Sequence, residues 1–154
     1  MRFDEYVNHL KRKINVSRDE TLFVCIGTSR ILWDSIGPRV GSYLKERIDD
    51  RKVLGDINNN ICSKWDLIYY YPKIKNKFIV AIDSAISSKE LEGEVFVSNR
   101  PIIMGLGLNK NKGTIGNISI KVSVSDIENT NREYINYMAE FIGKGICEVN
   151  KIKK

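Results

Sequence analysis

Lys77-Phe-Ile-Val-Ala-Ile82, followed at once by Asp83, is the stretch on which the fold turns. A short run that is apolar from Phe78 onward has no polar side to offer water, so it predicts a strand buried on both faces, in the middle of a helix-covered sheet. Thr21-Leu-Phe-Val-Cys-Ile26, closed by Gly27, repeats the pattern and predicts a second such strand. A weaker strand is predicted at Lys52–Ile57, and further strands at Gly93–Val97 and Ile118–Val124. Between them lie helical patterns. Phe3, Tyr6, Val7, Leu10 and Ile14 recur at helical spacing in a helix expected to end near Asn15. A helix is predicted over Asp34–Ile48, with Asp34 at its cap, Pro38 in its opening turn, and Ile36, Val40 and Leu44 toward the sheet. A short one runs through Trp65 to Tyr70 and is ended by Pro72, and a closing helix spans Glu133–Asn150. Strands alternating with helices predict an α/β three-layer sandwich with a mostly parallel central sheet. With no linker or internal repeat, residues 1–154 read as a single domain.

Composition agrees. The chain has 154 residues, 42% of them apolar and 29% charged, enough for one sizeable core and unlike a disordered sequence. No apolar run approaches the roughly 20 residues that cross a bilayer, and the start lacks a secretory apolar segment, so a cytoplasmic protein without a membrane partner is expected. Cys25, Cys62 and Cys147 are odd in number, far apart and set in apolar surroundings, the pattern of reduced thiols. The net charge of +6 comes from scattered lysines concentrated at the two ends. Without a recognised reading motif or a basic stripe interleaved with aromatics, nucleic acid is not the expected partner. Homo-oligomerisation is left open.

In open parallel sheets ligands bind beyond the carboxyl ends of the strands, where the strand order reverses. Asp34 lies in or just past the loop after the first strand, and Asp83 directly follows the central one. Taken singly, Asp34 reads first as a helix cap and Asp83 as a loop residue satisfying backbone amides. Their joint placement at strand ends marks them as candidate site carboxylates.

The same residues carry a family resemblance. Gly27-Thr-Ser-Arg-Ile-Leu-Trp-Asp-Ser-Ile-Gly-Pro-Arg-Val40 resembles the G-T-x(n)-D-[AS]-[LI]-G-P-x-V segment of the YyaC sporulation proteins and the germination protease family. Ile79-Val-Ala-Ile-Asp83-Ser-Ala is similar to their strand ending in I-A-I-D-A, and Gly105-Leu-Gly-Leu-Asn-Lys to their P-G-x-G-V-x-N-[KR] stretch. Gly116-Asn-Ile-Ser-Ile120 follows in the place of their next strand. Two departures stand out: Ile31-Leu32-Trp33 replaces a more polar run, and Met104 stands where a proline precedes the first glycine.

The resemblance implies a phosphorylase/hydrolase-like fold, shared more distantly with the hydrogenase maturation endopeptidases. It implies Asp34 and Asp83 as catalytic aspartates of a metal-independent endopeptidase acting on peptide or protein substrates, small acid-soluble spore proteins among them, in the sporulating cell or spore core. The alternative it leaves is a catalytically silent, peptide- or partner-binding sporulation protein of the same fold. The maturation endopeptidases hold metal at the equivalent positions together with a histidine. The one histidine here, His9, falls outside the matched region, so no metal is expected.

Two interacting carboxylates cannot both ionise freely, so such a pair can hold one proton and act as base and acid. Around it, Thr28, Ser29 and Arg30 in the first strand-to-helix turn are candidate substrate contacts, though ordinary turn chemistry explains them equally well. Gly105 and Gly107 lack a full phosphate-loop or dinucleotide pattern and read as turns allowing close backbone approach; no cofactor is indicated. Asn111 could position substrate, as could Lys112, or either could simply be solvated. Ser84, Ser87 and Ser88 invite a serine-nucleophile reading, but the matched region holds no histidine base and no G-x-S-x-G turn.

Overall fold

The computed structural model describes residues 1–14, 20–104, 113–125 and 130–151. Its strands are β1 (Thr21–Cys25), β2 (Val53–Leu54), β3 (Phe78–Ile86), β4 (Val95–Ser98), β5 (Ile102–Ile103), β6 (Thr114–Ile115) and β7 (Ile118–Val124). Its helices are α1 (Phe3–Lys13), α2 (Ile36–Lys45), α3 (Lys64–Tyr69), α4 (Tyr71–Ile74) and α5 (Arg132–Lys151). Five strands form the central sheet in the order β2-β1-β3-β7-β4, parallel except for β4 at one edge, while β5 and β6 pair as a separate small antiparallel ribbon.

Alternation along each central strand feeds two cores. Phe23, Cys25, Val80 and Ile82 point to one side, into a large cluster with Tyr6 and Leu10 of α1, Ile36, Val40 and Leu44 of α2, and Ile135, Ile142 and Ile146 of α5. Leu22, Val24, Ile79 and Ala81 point to the other, into a smaller cluster with Ile102, Met104 and Ile115, against which Leu67, Tyr70 and Ile74 of α3 and α4 pack. A strand with a core on both sides must be apolar on both sides, which is why β1 and β3 read as continuous runs. The layered α/β architecture with β3 at its centre matches the reading from sequence.

Helix α2 approaches the sheet unusually closely. A Cβ on Gly37 would run into the Ile26 carbonyl, and one on Gly41 into the Gly55 carbonyl, so this glycine pair, one turn apart, seats the helix against the carboxyl ends of β1 and β2. The backbone at Gly27, with φ +139°, turns the chain sharply out of β1, and a side chain there would strike the Asp34 carbonyl.

Several boundaries differ from expectation. Asp34 is not the cap of α2: Leu32–Asp34 forms a single 3-10 turn and Ser35 occupies the cap position. The cause is packing, since Leu32 and Trp33 turn inward against the large core. Asp83 lies inside β3, because β7 goes on pairing with β3 as far as Ile86 after β1 has ended opposite Ile82. Pro72 opens α4, where its missing N–H costs nothing, and does not merely end α3. The β5–β6 ribbon was not foreseen. No helix among the described residues is long and apolar enough to cross a membrane.

Candidate functional site

The chain leaves β1 through α2 to β2 on one side, then crosses to β3 on the other, so the strand order reverses between β1 and β3. Two loops open there at the carboxyl end of the sheet: Thr28–Asp34 after β1, and the end of β3 beyond Ile82. The first loop is closed on itself, the Thr28 amide donating to both the main-chain carbonyl of Asp34 at 3.1 Å and its Oδ2 at 3.3 Å. The second meets it through Ser84, whose hydroxyl donates to Asp34 Oδ1 at 3.4 Å. Ser84 also donates its amide to Asp83 Oδ1 at 2.8 Å, so one residue contacts both carboxylates.

Their surroundings differ. Asp34 is half-buried at the rim. Asp83 is buried, and its carboxyl is held well above the ordinary carboxylate range, first by loss of hydration and then by the charge of Asp34. The Ser84 amide and the Lys121 ammonium oppose that shift without overcoming it. Lys121 stands directly across from Asp83 in the β3–β7 register and on the same face of the sheet. Sequence reasoning passed it over, although a lone lysine inside Ile118-Ser-Ile-Lys-Val-Ser-Val124 is the odd charge in an otherwise buried strand.

A third carboxylate, Asp56, follows β2 at the same end of the sheet. Its Oδ2 accepts from Lys45 Nζ at 2.6 Å and its Oδ1 from the amides of Asn58 and Asn59, each at 2.8 Å. Burial pushes this carboxyl up, but the lysine and the two amides outweigh it, leaving it below its ordinary value. Asp56 is therefore the ionised anchor of the loop after β2.

Ser29 is tied into that same loop: its amide and hydroxyl donate to Asn60 Oδ1 at 3.0 and 3.3 Å, and its hydroxyl also to the Ile57 carbonyl at 2.9 Å. Thr28 Oγ1 accepts from the Arg30 amide at 3.2 Å, and Arg30 itself is exposed at the rim. Thr28 thus touches Asp34 through its amide, Arg30 touches Thr28, and the polar groups of Ser29 serve to join two loops. Gly105, Gly107 and Asn111 lie outside the described residues. The three cysteines are free thiols, and burial raises that of Cys25 far out of the physiological range.

Among the described residues no three His, Cys, Asp or Glu side chains converge as a metal-holding group. His9 lies on α1, bonded through Nδ1 to Arg12 at 3.1 Å. What the arrangement holds is two carboxylates, Asp34 and Asp83, both contacted by Ser84 at the carboxyl end of a parallel sheet.

Known proteins place the chain. The sequence profile of the family described as protein of unknown function (DUF1256) matches residues 1–144. The uncharacterized protein YyaC of Bacillus subtilis (strain 168) is 29% identical over 135 residues, covering 80% of this chain and 66% of the relative, so the match spans just under two thirds of that protein's length. In fold, the crystal structure of a [NiFe] hydrogenase maturation protease, HycI from Thermococcus kodakarensis KOD1, is similar at a TM-score of 0.64. The two sequences are 16% identical, and the match covers 92% of this chain and 98% of that one.

Proposed function

We propose, for a chain that belongs to the family described as protein of unknown function (DUF1256), that Asp34 and Asp83 hydrolyse peptide bonds as a carboxylate pair. The observation that carries this reading is the convergence of the two aspartates on Ser84 at the switch point, with Asp83 buried and opposed by the charge of Asp34. The pair holds one proton, kept on Asp83. Asp34, nearer the rim, takes a proton from an attacking water, and Asp83 gives its proton to the departing amine. The substrate's carbonyl carbon gains the water oxygen and loses the C–N bond; the pair still holds one proton, now on Asp34, and its return to Asp83 readies the site for the next cycle. The protease fold of the structural neighbour and the family resemblance support a peptidase, and the resemblance nominates small acid-soluble spore proteins as substrates in the sporulating cell.

Incubation with small acid-soluble spore proteins, followed by mass analysis of fragments, tests the assignment. Asp34→Asn and Asp83→Asn should each slow cleavage by about a thousandfold, the usual worth of a positioned acid or base. Either variant cleaving at the wild-type rate would refute the catalytic pair. Wild-type protein that binds the substrates and leaves them intact would favour the silent, partner-binding form of the same site.

A further inference from the structure

Helix α3 is apolar on its outer side as well as its inner one. Leu67 and Tyr70 pack against the smaller core, while Trp65 and Ile68 are 68% and 61% exposed, and Tyr69 and Tyr71 are 76% and 59% exposed. Trp65, Ile68 and Tyr69 fall at i, i+3 and i+4, so they share one helix face, and Tyr71 continues it into α4. A cluster of this kind marks a surface that another molecule covers.

Along this stretch of chain the exposed charge has one sign. Lys64, Lys73, Lys75 and Lys77 are exposed along residues 61–77, and the one acidic residue in that stretch, Asp66, is turned inward to cap α3, accepting from the amides of Cys62 and Ser63 at 2.9 and 3.0 Å. Two copies facing each other across this strip would bring lysine against lysine, which argues against self-association. Stacked bases are a poor fit, since the Tyr69 and Tyr70 rings meet edge to face at 88° and Lys64 Nζ hovers 5.5 Å from the Trp65 ring centre.

The strip also has a direction. Its upper end lies toward the site, because Ile61, just ahead of the strip, bridges to Ile26 and Gly27 at the end of β1. Its lower end, at Lys77, adjoins the start of β3 at the opposite side of the sheet. A linear molecule lying along it would have one end at the rim where Asp34 sits.

We propose that the outer face of α3 and α4 docks an acidic polypeptide segment carrying interspersed apolar side chains, laid along the flank so that the chain continues toward Asp34 and Asp83. Carboxylates of the segment meet the lysines, and its apolar side chains cover Trp65, Ile68 and Tyr69. Docking itself is independent of turnover; only the fate of the segment at the rim rests on the peptidase reading above.

The test uses full-length protein carrying Asp34→Asn and Asp83→Asn, so that binding is read whether or not the peptidase reading holds. A further Trp33→Phe change leaves Trp65 as the sole indole reporter, the chain having two tryptophans. The probe is a random glutamate–tyrosine copolymer, titrated beside polyglutamate, a single-stranded oligonucleotide and anionic phosphatidylglycerol vesicles. The copolymer should shift Trp65 emission to the blue and bind more tightly than the other three. Ile68→Ser with Tyr69→Ser, which leaves net charge unchanged, should weaken it at least about tenfold. Lys73→Ala with Lys75→Ala should weaken it and flatten its salt dependence. Copolymer binding indifferent to Ile68→Ser/Tyr69→Ser would reduce the effect to bulk charge and overturn the proposal. So would tighter binding to the oligonucleotide or to the vesicles.

Discussion

The ends of β2 and β3 hold the same side chain with its acidity shifted in opposite directions. Asp56, after β2, is bonded to a lysine at 2.6 Å and to two backbone amides; Asp83, in β3, has a single amide bond, another carboxylate beside it and only the more weakly felt charge of Lys121 across the register. Both have lost most of their water. Burial alone therefore does not set the acidity of a carboxyl at this edge; the charged and hydrogen-bonding neighbours brought in by other elements do. Asp56 is built to stay ionised and hold a turn. Asp83 is pushed toward its protonated form, first by lost hydration and then by the charge of Asp34, and on the proposed reading that bias supplies the proton given to a departing amine.

The largest expected effect of breaking the contrast is on the β3 side. A carboxyl raised in the folded state binds its proton more tightly folded than unfolded. Its contribution is full below the unfolded value near 4 and is lost as pH rises through the folded value. Asp83→Asn removes that loss. Relative to wild type the variant should gain about 1.4 kcal/mol for each pH unit above roughly 4, levelling off once the folded value is passed. Urea unfolding of both proteins between pH 4 and 8 measures the difference. A flat difference would mean that Asp83 titrates like an exposed carboxyl.

At β2 the sign reverses. Asp56 has a depressed carboxyl, so its contribution is present above the unfolded value and lost as pH falls through the folded one. Lys45→Met leaves Asp56 mostly buried without its cation and should cost about 2 kcal/mol at pH 7, a cost that shrinks in acid as Asp56 protonates. Thermal or urea unfolding at pH 7 and pH 3 reads both halves. Equal costs at the two pH values would show that the lysine acts through packing alone.

How much of this was legible from the residues depends on run length. β1, β3, β7 and α5 are long enough for burial to impose a pattern, and β7 was located residue for residue at Ile118–Val124. β5 and β6, two residues each, carry no periodicity to find. The start of α2 was misplaced because Leu32 and Trp33 read as loop residues, whereas they pack inward and wind a 3-10 turn ahead of the helix. That Asp34 and Asp83 stand at the same end of the sheet follows from strand order, which alternation of elements suggests. Their electrostatics could not be read, because the partners of Asp83 depend on register: Lys121 comes opposite it only through the β3–β7 pairing. The partners of Asp56 were harder still, since Lys45 reaches it from a different element.

Ser84 provides the smallest and finest test, because it touches both carboxylates by different atoms. Its amide donates to Asp83 at 2.8 Å, a bond any residue can make, while its hydroxyl reaches Asp34 at 3.4 Å, long for an O–H donor. Ser84→Ala keeps the first contact and deletes the second. A hydrogen bond this long contributes about 0.5 kcal/mol, so peptide cleavage should fall by only two- to threefold, and stability by a similar free energy. A serine acting as nucleophile would answer differently, with a loss of about a thousandfold or more, as when a covalent step is removed outright. The size of the loss in Ser84→Ala, compared with that in Asp34→Asn, therefore separates a residue that orients the carboxylate from one that attacks the substrate.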